Sequence, residues 1–285
     1  MSESKPIKID LDAVIAERLG EKGRRIPRPV VSWLKKLICQ DRLNYLLEHN
    51  FPRTGADFCD GVFDDLNIRI NVSGLENLPP AGTDRLIIVC NHPLGGLDGM
   101  ALISLFTRIY GKGVRFLVND LLMAVKPLEN CFIPINKHGA QSRQSIVEID
   151  TLLAGDQPVI IFPAGLCSRR QNGVIRDLTW HKMFVAKAIE FKRDILPVYF
   201  NGCNSNTFYR FAGLRKKLGI RFNLEMILLP REVFKSEGKT FEIICGSPIS
   251  HLALADGGDP QGKAMEIKDI VYNLKDSSAN ERKDN

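Results

Sequence analysis

A short apolar run leads directly into a glycine-rich loop and then into a helix-like stretch. The run from Leu86 to Cys90 is aliphatic and is typical of a buried strand. The residues from Ala101 to Tyr110 have the length and apolar spacing of a helix. Strand, loop and helix in this order indicate an α/β sheet, in which ligands usually bind at the carboxyl ends of the strands.

The loop at residues 91–99, Asn-His-Pro-Leu-Gly-Gly-Leu-Asp-Gly, pairs a histidine with a carboxylate. The imidazole of His92 can take a proton from an alcohol, and Asp98 can orient the ring through its other nitrogen. A structural interpretation is equally open: Asp98 caps the following helix, His92 is an ordinary loop histidine, and the glycines only form turns.

Three further blocks repeat the pattern of a short apolar strand followed by a polar or glycine-containing loop. They are residues 131–138, 159–170 and 194–202. The first block places Lys137 just after its strand, and the second ends in Arg169 and Arg170. Because guanidinium groups bind anions in a bidentate way, these cations are candidates for holding an anionic substrate group.

In this order the four blocks resemble the glycerolipid acyltransferase superfamily of PlsC-like enzymes, over roughly residues 86–202. The hemolysin-like branch, which includes lyso-ornithine-lipid and other amino-acid-lipid O-acyltransferases, is closer still. Its motifs His-Pro-Leu-Gly-Gly-Leu-Asp, Phe-Pro-Ala-Gly and Asn-Ser-x-x-Phe-Tyr are similar to residues 92–98, 162–165 and 204–209. Each motif alone is weak, but the ordered set is specific.

The sequence departs from the wider superfamily at several motif positions. Five residues, not four, separate His92 from Asp98, so the glycines must absorb one extra residue. Ala164 stands where the superfamily has Glu, Cys167 where it has Arg, and Lys137 where the middle block has Arg. The resemblance implies that the Glu and Arg positions hold a glycerol phosphate, so their loss indicates a different acceptor.

The resemblance and the length of the chain predict an α/β fold with a mixed central sheet flanked by helices. We expect an N-terminal helical addition at residues 1–65, an acyltransferase domain at 66–274 and a disordered tail at 275–285. Predicted strands lie near 66–72, 86–90, 114–118, 132–135, 158–163, 195–200, 222–229 and 240–245. Predicted helices lie near 11–19, 30–38, 42–49, 99–110, 141–154, 179–193 and 263–274.

The resemblance also implies the roles of the site residues. His92 is the expected general base, Asp98 its orienting carboxylate, and the backbone amides of Gly95 and Gly96 are candidates for the oxyanion site. Expected substrate contacts are Lys137, Phe162, Pro163, Gly165, Ser168, Arg169, Arg170, Asn204 and Ser205. We expect direct transfer, with no covalent enzyme intermediate and no cofactor beyond the acyl thioester, and no residue spacing implies a metal.

The expected reaction is O-acylation of a lyso-lipid, in particular an N-(3-hydroxyacyl) amino-acid lipid of the ornithine or glycine type. The donor is acyl carrier protein or coenzyme A. One alternative is a 1-acylglycerol-3-phosphate acyltransferase, and another is a peripheral lipid-binding, hemolysin-like protein. A third is a hydrolase with Cys167 as nucleophile, because Gly165 to Arg169 partly resembles a nucleophile elbow that lacks its second glycine.

Positive charge is concentrated in one part of the chain, whose formal net charge is +6. Residues 176–217 contain nine basic and three acidic residues. We expect this segment to dock an acidic acyl carrier protein, the alternative being an ordinary solvated surface. The sequence has no basic array interleaved with aromatic residues, so it does not indicate binding of nucleic acid.

The sequence also predicts where the protein acts. Seven cysteines without Cys-x-x-Cys spacing indicate reduced thiols, and the start of the chain has no apolar signal region. A basic amphipathic stretch at residues 22–38, which contains Trp33, suits an anionic membrane surface, unless its apolar face packs on the domain. We therefore expect a cytoplasmic protein that is peripheral on the inner face of the cell membrane.

Overall fold

The computed structural model describes residues 8–21, 25–80, 82, 85–111, 113–118, 125–134, 141–220 and 222–281. Its helices are α1 (Leu11–Leu19), α2 (Arg28–Leu37), α3 (Gln40–His49), α4 (Gly55–Asp65), α5 (Leu97–Tyr110), α6 (Gln141–Ala154), α7 (Met183–Glu190), α8 (Asn206–Lys217), α9 (Leu229–Phe234), α10 (His251–Ala255) and α11 (Pro260–Glu281). Its strands are β1 (Arg69–Ser73), β2 (Leu86–Cys90), β3 (Arg115–Val118), β4 (Phe132–Pro134), β5 (Val159–Ile161), β6 (Arg169–Gln171), β7 (Val174–Arg176), β8 (Asp194–Asn201) and β9 (Thr240–Cys245). Short 3₁₀ segments lie at Leu75–Asn77, Lys126–Cys131 and Leu224–Leu228.

The central sheet is mixed, as predicted, with strand order β1-β9-β8-β2-β5-β3-β4. Strands β8, β2, β5, β3 and β4 are parallel to one another, whereas β9 is antiparallel to β8 and carries β1 at the edge. Strands β6 and β7 form a separate antiparallel hairpin. Because β2 lies between β5 and β8, the loops that follow these three strands meet at the carboxyl edge of the sheet.

Strand β2 is buried on both sides, which explains its unbroken apolar sequence. Leu86, Ile88 and Cys90 belong to a core that includes the buried faces of α4 and α5. Ile87 and Val89 belong to a second core with α7 and α11. Side chains alternate between the two faces of a strand, so one strand holds together the helical layers on both sides of the sheet.

Helix α4 belongs to the main core, although it lies before the predicted domain boundary at residue 66. Its buried residues Phe58, Cys59, Val62 and Phe63 share a core with α5. At the other end of the chain, α11 continues to Glu281, into the region predicted to be a disordered tail from residue 275.

The predicted strand at residues 222–229 is wrong. A 3₁₀ segment at Leu224–Leu228 leads into α9, whose first turn contains Pro230. Proline is common in the first turn of a helix, because the backbone N–H groups of that turn have no acceptor within the helix and the missing N–H of proline costs nothing there. Helix α8 was not predicted, although Ser205 supplies a start signal: its hydroxyl accepts a hydrogen bond from the backbone N–H of Phe208.

Helix α2 covers most of the predicted amphipathic stretch. Val30 is 43% exposed and Trp33 59%, whereas Val31 is half-buried, so only part of its apolar side is covered by protein. Lys22 and Arg24 lie outside the described residues. Within the described ranges, no helix is both long and apolar enough to span a membrane.

Candidate active site

The glycine loop after β2 contains the predicted pair of side chains in direct contact. The Nδ1 atom of His92 lies 2.9 Å from Oδ2 of Asp98, the second residue of α5. Asp98 is fully buried and also accepts hydrogen bonds from the backbone N–H groups of Leu94, Gly96 and Gly99 at 2.8, 3.0 and 3.0 Å. Burial alone would raise the pKa of Asp98, but the charge and hydrogen bond of His92 and the backbone donors hold this pKa below its ordinary value.

The extra residue between the histidine and the aspartate is accommodated by the glycines of the loop. Gly95 has a φ of +81°, a left-handed conformation that other residues rarely adopt. Gly99 permits a close approach to the sheet, because a Cβ atom there would lie 2.7 Å from Cε1 of Phe116. The loop therefore closes the pair despite its departure from the spacing of the superfamily.

The amides of Gly95 and Gly96 are not positioned as the predicted oxyanion donors. The N–H of Gly95 points to Oδ2 of Asp98 at 3.3 Å, and the N–H of Gly96 points to Oδ1 at 3.0 Å. Both donors serve the buried carboxylate, which contradicts the expectation that they are open to a substrate oxygen. The same carboxylate therefore orients His92 and holds the loop closed.

The ring of His92 is packed on one side and partly open on the other. It stacks on Phe162 with 3.9 Å between ring centroids, and 14% of the side chain is exposed. Among the described residues, the ring forms hydrogen bonds through Nδ1 only. Phe162 lies against this ring, and its contact with a substrate stays a prediction, as does the role of Nε2 as the base.

A second buried carboxylate, Asp177, lies behind the histidine loop and was not found from the sequence. It accepts hydrogen bonds from the backbone N–H of His92 at 3.2 Å, from Oγ of Ser168 at 2.6 Å and from Nε1 of Trp180 at 3.0 Å. Burial raises the pKa of Asp177, and the hydrogen bonds of Ser168 and Trp180 oppose that rise. Ser168 is 1% exposed, so its hydroxyl supports the loop and does not face substrate.

Replacing Asp177 with asparagine should therefore affect both stability and turnover. One carboxylate oxygen is lost, so at least one buried donor loses its acceptor, which costs roughly 1–3 kcal/mol of unfolding free energy. The kcat should fall more than the KM changes, because the backbone of His92 loses its support. Urea unfolding and steady-state kinetics measure the two effects.

Asp269→Asn is the matched control, since this carboxylate is 64% exposed and its one ion pair within the described residues is with Arg176. We expect it to behave like the wild type. If Asp177→Asn were as stable and as active as Asp269→Asn, the supporting role of Asp177 would be wrong.

The two predicted arginines differ in their environments. Arg169 is 8% exposed, and its Nη2 lies 2.7 Å from Oε1 of Glu225. The other oxygen of this fully buried glutamate lies 2.7 Å from Nε of Arg215. Arg169 is thus part of a buried ion cluster and does not fit the predicted role in anion binding. Arg170 is exposed, and its Nη2 donates to Oδ1 of Asn206 at 2.6 Å.

Asn204 connects the start of α8 to the histidine loop, whereas Ser205 connects it to α9. Nδ2 of Asn204 donates to the backbone oxygen of Pro93 at 3.1 Å, and this side chain is buried. Ser205 is the N-cap of α8, and its Oγ donates to Glu232 at 2.8 Å. Both side chains are therefore occupied by contacts within the protein.

The remaining predicted contact residues follow β5. Pro163 is buried, and its backbone oxygen accepts from the N–H of His181 at 3.1 Å. Gly165 is exposed, and its N–H donates to the backbone oxygen of Phe162 at 2.9 Å, forming the turn that leads toward β6. Lys137 lies outside the described residues.

Comparison with known proteins decides the family. A family model described as an acyltransferase matches residues 13–280, which is nearly the whole chain. The chain belongs to the acyltransferase family. It is 43% identical to a lyso-glycine lipid O-acyltransferase of Phocaeicola vulgatus, over 96% of this chain and 98% of that protein. It is 42% identical to a protein of the same name from Bacteroides thetaiotaomicron, over 96% and 100% of the two chains.

Among solved structures, the 1-acyl-sn-glycerophosphate acyltransferase PlsC of Thermotoga maritima is similar at 14% identity, with a TM-score of 0.48. The match covers 87% of this chain and 96% of PlsC. The family model and the two full-length relatives, independently of this structure, confirm that the predicted resemblance to acyltransferases is right.

The thiol of Cys167 is poorly suited to act as the nucleophile of this acyltransferase. The residue is fully buried, and burial raises the pKa of its thiol to about 11, although Arg169 partly opposes that rise. A thiol with such a pKa is protonated at neutral pH, and the thiolate is the nucleophilic form. The alternative of a cysteine hydrolase therefore finds no support in the geometry.

Ala164, at the position where the superfamily has Glu, is 5% exposed and belongs to the second core with Tyr199 and Trp180. A glutamate with the same orientation would place a carboxylate among apolar side chains, which is costly without a partner. The local packing of this acyltransferase is therefore adapted to the alanine.

Proposed function

We propose that this acyltransferase moves a fatty acyl group from a thioester to the hydroxyl of an N-(3-hydroxyacyl) amino-acid lipid of the glycine type. The contact between His92 and Asp98 carries the proposal, because it places a base and its orienting carboxylate at the carboxyl edge of the sheet. The names of the two full-length relatives and the alanine at position 164 support the choice of acceptor.

In the proposed reaction, Nε2 of His92 removes the proton from the acceptor hydroxyl as the oxygen attacks the thioester carbonyl. Asp98 holds Nδ1–H and stabilises the imidazolium that forms. A carbon–oxygen bond forms, the carbon–sulfur bond breaks, and the imidazolium returns its proton to the leaving thiolate. No covalent intermediate on the protein is needed.

The carboxylate of a glycine-type acceptor needs a cation near the site. Arg170 is the exposed member of the predicted pair, and its guanidinium lies over the ring of Tyr209, 5.4 Å from the ring centroid. Asn206 also holds this guanidinium. We infer that Arg170 binds the acceptor carboxylate and that Lys137 contributes from the segment after β4.

For the donor we propose acyl carrier protein. Several of the basic residues between 176 and 217 are already paired: Arg176 contacts Asp269, Lys187 contacts Asp150, and Arg215 contacts Glu225. Lys182 and Lys192, at the two ends of α7, are exposed. Exposed lysines of this kind suit the acidic surface of a carrier protein. Because the acceptor is a lipid, we also propose that the protein is peripheral on the inner face of the cell membrane.

The test crosses two donors with a panel of acceptors, using the purified protein. The donors are acyl carrier protein and coenzyme A thioesters; the acceptors are 3-hydroxyacyl glycine, 3-hydroxyacyl ornithine, lysophosphatidic acid and glycerol 3-phosphate. We expect the highest kcat/KM with the glycine lipid, roughly 10- to 200-fold above that with lysophosphatidic acid. Activity with glycerol 3-phosphate should be negligible, because the carboxylate that the superfamily has at position 164 is absent.

A preference for lysophosphatidic acid with both donors would contradict the proposed acceptor and favour the phospholipid enzyme. A higher kcat/KM with coenzyme A thioesters than with the carrier protein would contradict the proposed donor only.

A further inference from the structure

Helix α8 and the segment that follows it expose an unusual number of large apolar side chains. Phe222 is 80% exposed, Leu218 65% and Leu214 54%. Isolated exposed apolar residues are common, but a contiguous group usually marks an interaction surface. We call this group the apolar patch, and its members are Phe211, Leu214, Leu218, Ile220, Phe222, Leu224 and Ile227.

Part of the apolar patch is a stripe along α8. Phe211, Leu214 and Leu218 are three and four positions apart, so they lie on one face of the helix and of its last turn. The other side of the helix carries Tyr209 and Ala212, which are three positions apart and buried. The helix therefore has an apolar face toward the protein and a second apolar face toward solvent.

The apolar patch is held in a defined arrangement. Glu225 lies beneath it and contacts Arg215 of α8 and Arg169 of β6, each at 2.7 Å. Nη1 of Arg215 also donates to the backbone oxygen of Ile220 at 2.6 Å. These contacts join the helix to the 3₁₀ segment, so the exposed side chains belong to one anchored surface.

Exposed cations lie on the same helix as the apolar stripe. Arg210, Lys216 and Lys217 are exposed, and within the described part of the chain none of them forms an ion pair. Arg210 and Lys217 are seven positions apart and so lie along one line of the helix, beside the apolar stripe. Large apolar side chains next to basic ones match the interface of an anionic bilayer. An acidic carrier protein would meet the charges but would leave the apolar residues without partners.

Both ends of this region contact the histidine loop. Asn204, just before α8, donates to the backbone oxygen of Pro93 at 3.1 Å. Leu229, just after the 3₁₀ segment, lies close to Gly95. A Cβ atom added at Gly95 would be 2.8 Å from Cδ1 of Leu229. The segment that carries the apolar patch is therefore held against the loop of His92 at both of its ends.

We propose that the apolar patch and its basic neighbours dock on an anionic bilayer, so that a membrane-held acceptor reaches His92 from the lipid phase. The choice of partner rests on the proposed lipid acceptor. The surface differs from the amphipathic stretch at residues 22–38.

The test is flotation of the full chain with vesicles, without substrates, so it does not depend on turnover. One set of vesicles contains phosphatidylglycerol and phosphatidylcholine, and the other contains phosphatidylcholine alone. The double variant Leu218→Ser, Phe222→Ser should lower the partition coefficient on anionic vesicles by roughly tenfold or more. Lys217→Ala should lower it by about fivefold.

Leu252→Ser is the matched control, because this leucine is 67% exposed but lies on α10. It should bind vesicles like the wild type. With vesicle-embedded acceptor the double variant should lose activity, whereas with detergent-dispersed acceptor it should keep it. An unchanged partition coefficient for the double variant would overturn the proposal. The proposal would also be overturned if Trp33→Ser lost vesicle binding while the double variant kept it.

Two other partners give distinguishable results. If the double variant converted a dimer into a monomer in light scattering while its vesicle binding stayed intact, the apolar patch would be a contact between two copies. If the double variant kept its vesicle binding and lost only its activity with the acyl carrier protein donor, the apolar patch would be a docking site for the carrier protein. Either result would overturn membrane docking, whereas absence of transfer in every variant would count against the proposed function alone.

Discussion

Replacing His92 with alanine should lower kcat by roughly 10²- to 10⁴-fold, the usual contribution of a positioned base. The fold should persist, because the contacts that hold the loop use the backbone at this position. The N–H of His92 donates to Asp177, and its backbone oxygen accepts from the N–H of Ser168 at 2.7 Å. Steady-state kinetics at saturating donor and acceptor measure the loss, and urea unfolding checks the fold.

The chain offers a matched control in His49, whose Nδ1 lies 2.8 Å from Oδ1 of Asp65. This pair resembles the pair in the loop, but the side chain of His49 is 58% exposed and lies on α3. His49→Ala should turn over like the wild type. Turnover by His92→Ala at the wild-type rate would remove His92 from the mechanism.

The second large effect is expected for Asp98→Asn. An asparagine has one acceptor oxygen in place of two, and its NH2 group cannot accept from the loop N–H groups. The ring of His92 then loses its orienting charge, so kcat should fall by a factor similar to that of His92→Ala. The free energy of unfolding should fall by roughly 1–3 kcal/mol for each backbone N–H that is left without an acceptor.

The stability effect of Asp98→Asn should also depend on pH. In the folded protein the pKa of Asp98 lies below its ordinary value of 3.8, so the charged carboxylate stabilises the fold fully above that pH. The stabilisation is lost as the pH falls through the lower, folded-state value. Urea unfolding at several pH values should therefore show a constant difference between wild type and variant near neutrality, and a shrinking difference in acid. A difference that grows on acidification would contradict the assignment.

Much of the site was predictable because the strands and the loop that form it depend on residues that are close together in the sequence. The apolar runs at 86–90 and 158–163 predicted two strands, and the structure pairs them in parallel, so the loops after them meet at one edge of the sheet. His92 and Asp98 are only six positions apart, and the glycines between them make closure of the loop feasible. The resemblance to a known family then supplied their roles.

The residues that sequence reasoning missed or misassigned depend on distant partners. Arg169 pairs with Glu225, fifty-six positions away, and nothing local to either residue indicates that the charge is buried. Asp177 accepts a hydrogen bond from the backbone N–H of His92, which is eighty-five positions away in the sequence. The apolar residues at 222–229 resembled a strand because apolar content does not show whether side chains face the core or solvent; Phe222 is 80% exposed.

The most direct test of the account follows an isotopically labelled acyl group from its thioester in the presence of 3-hydroxyacyl glycine. Tandem mass spectrometry locates the label in the lipid and in the protein. Direct transfer through His92 predicts label esterified to the 3-hydroxyl oxygen with the wild type, label accumulating at least about 100-fold more slowly with His92→Ala, and no labelled protein during turnover. Label released as free acid, or bound to Cys167 at a rate that matches turnover, would contradict direct transfer.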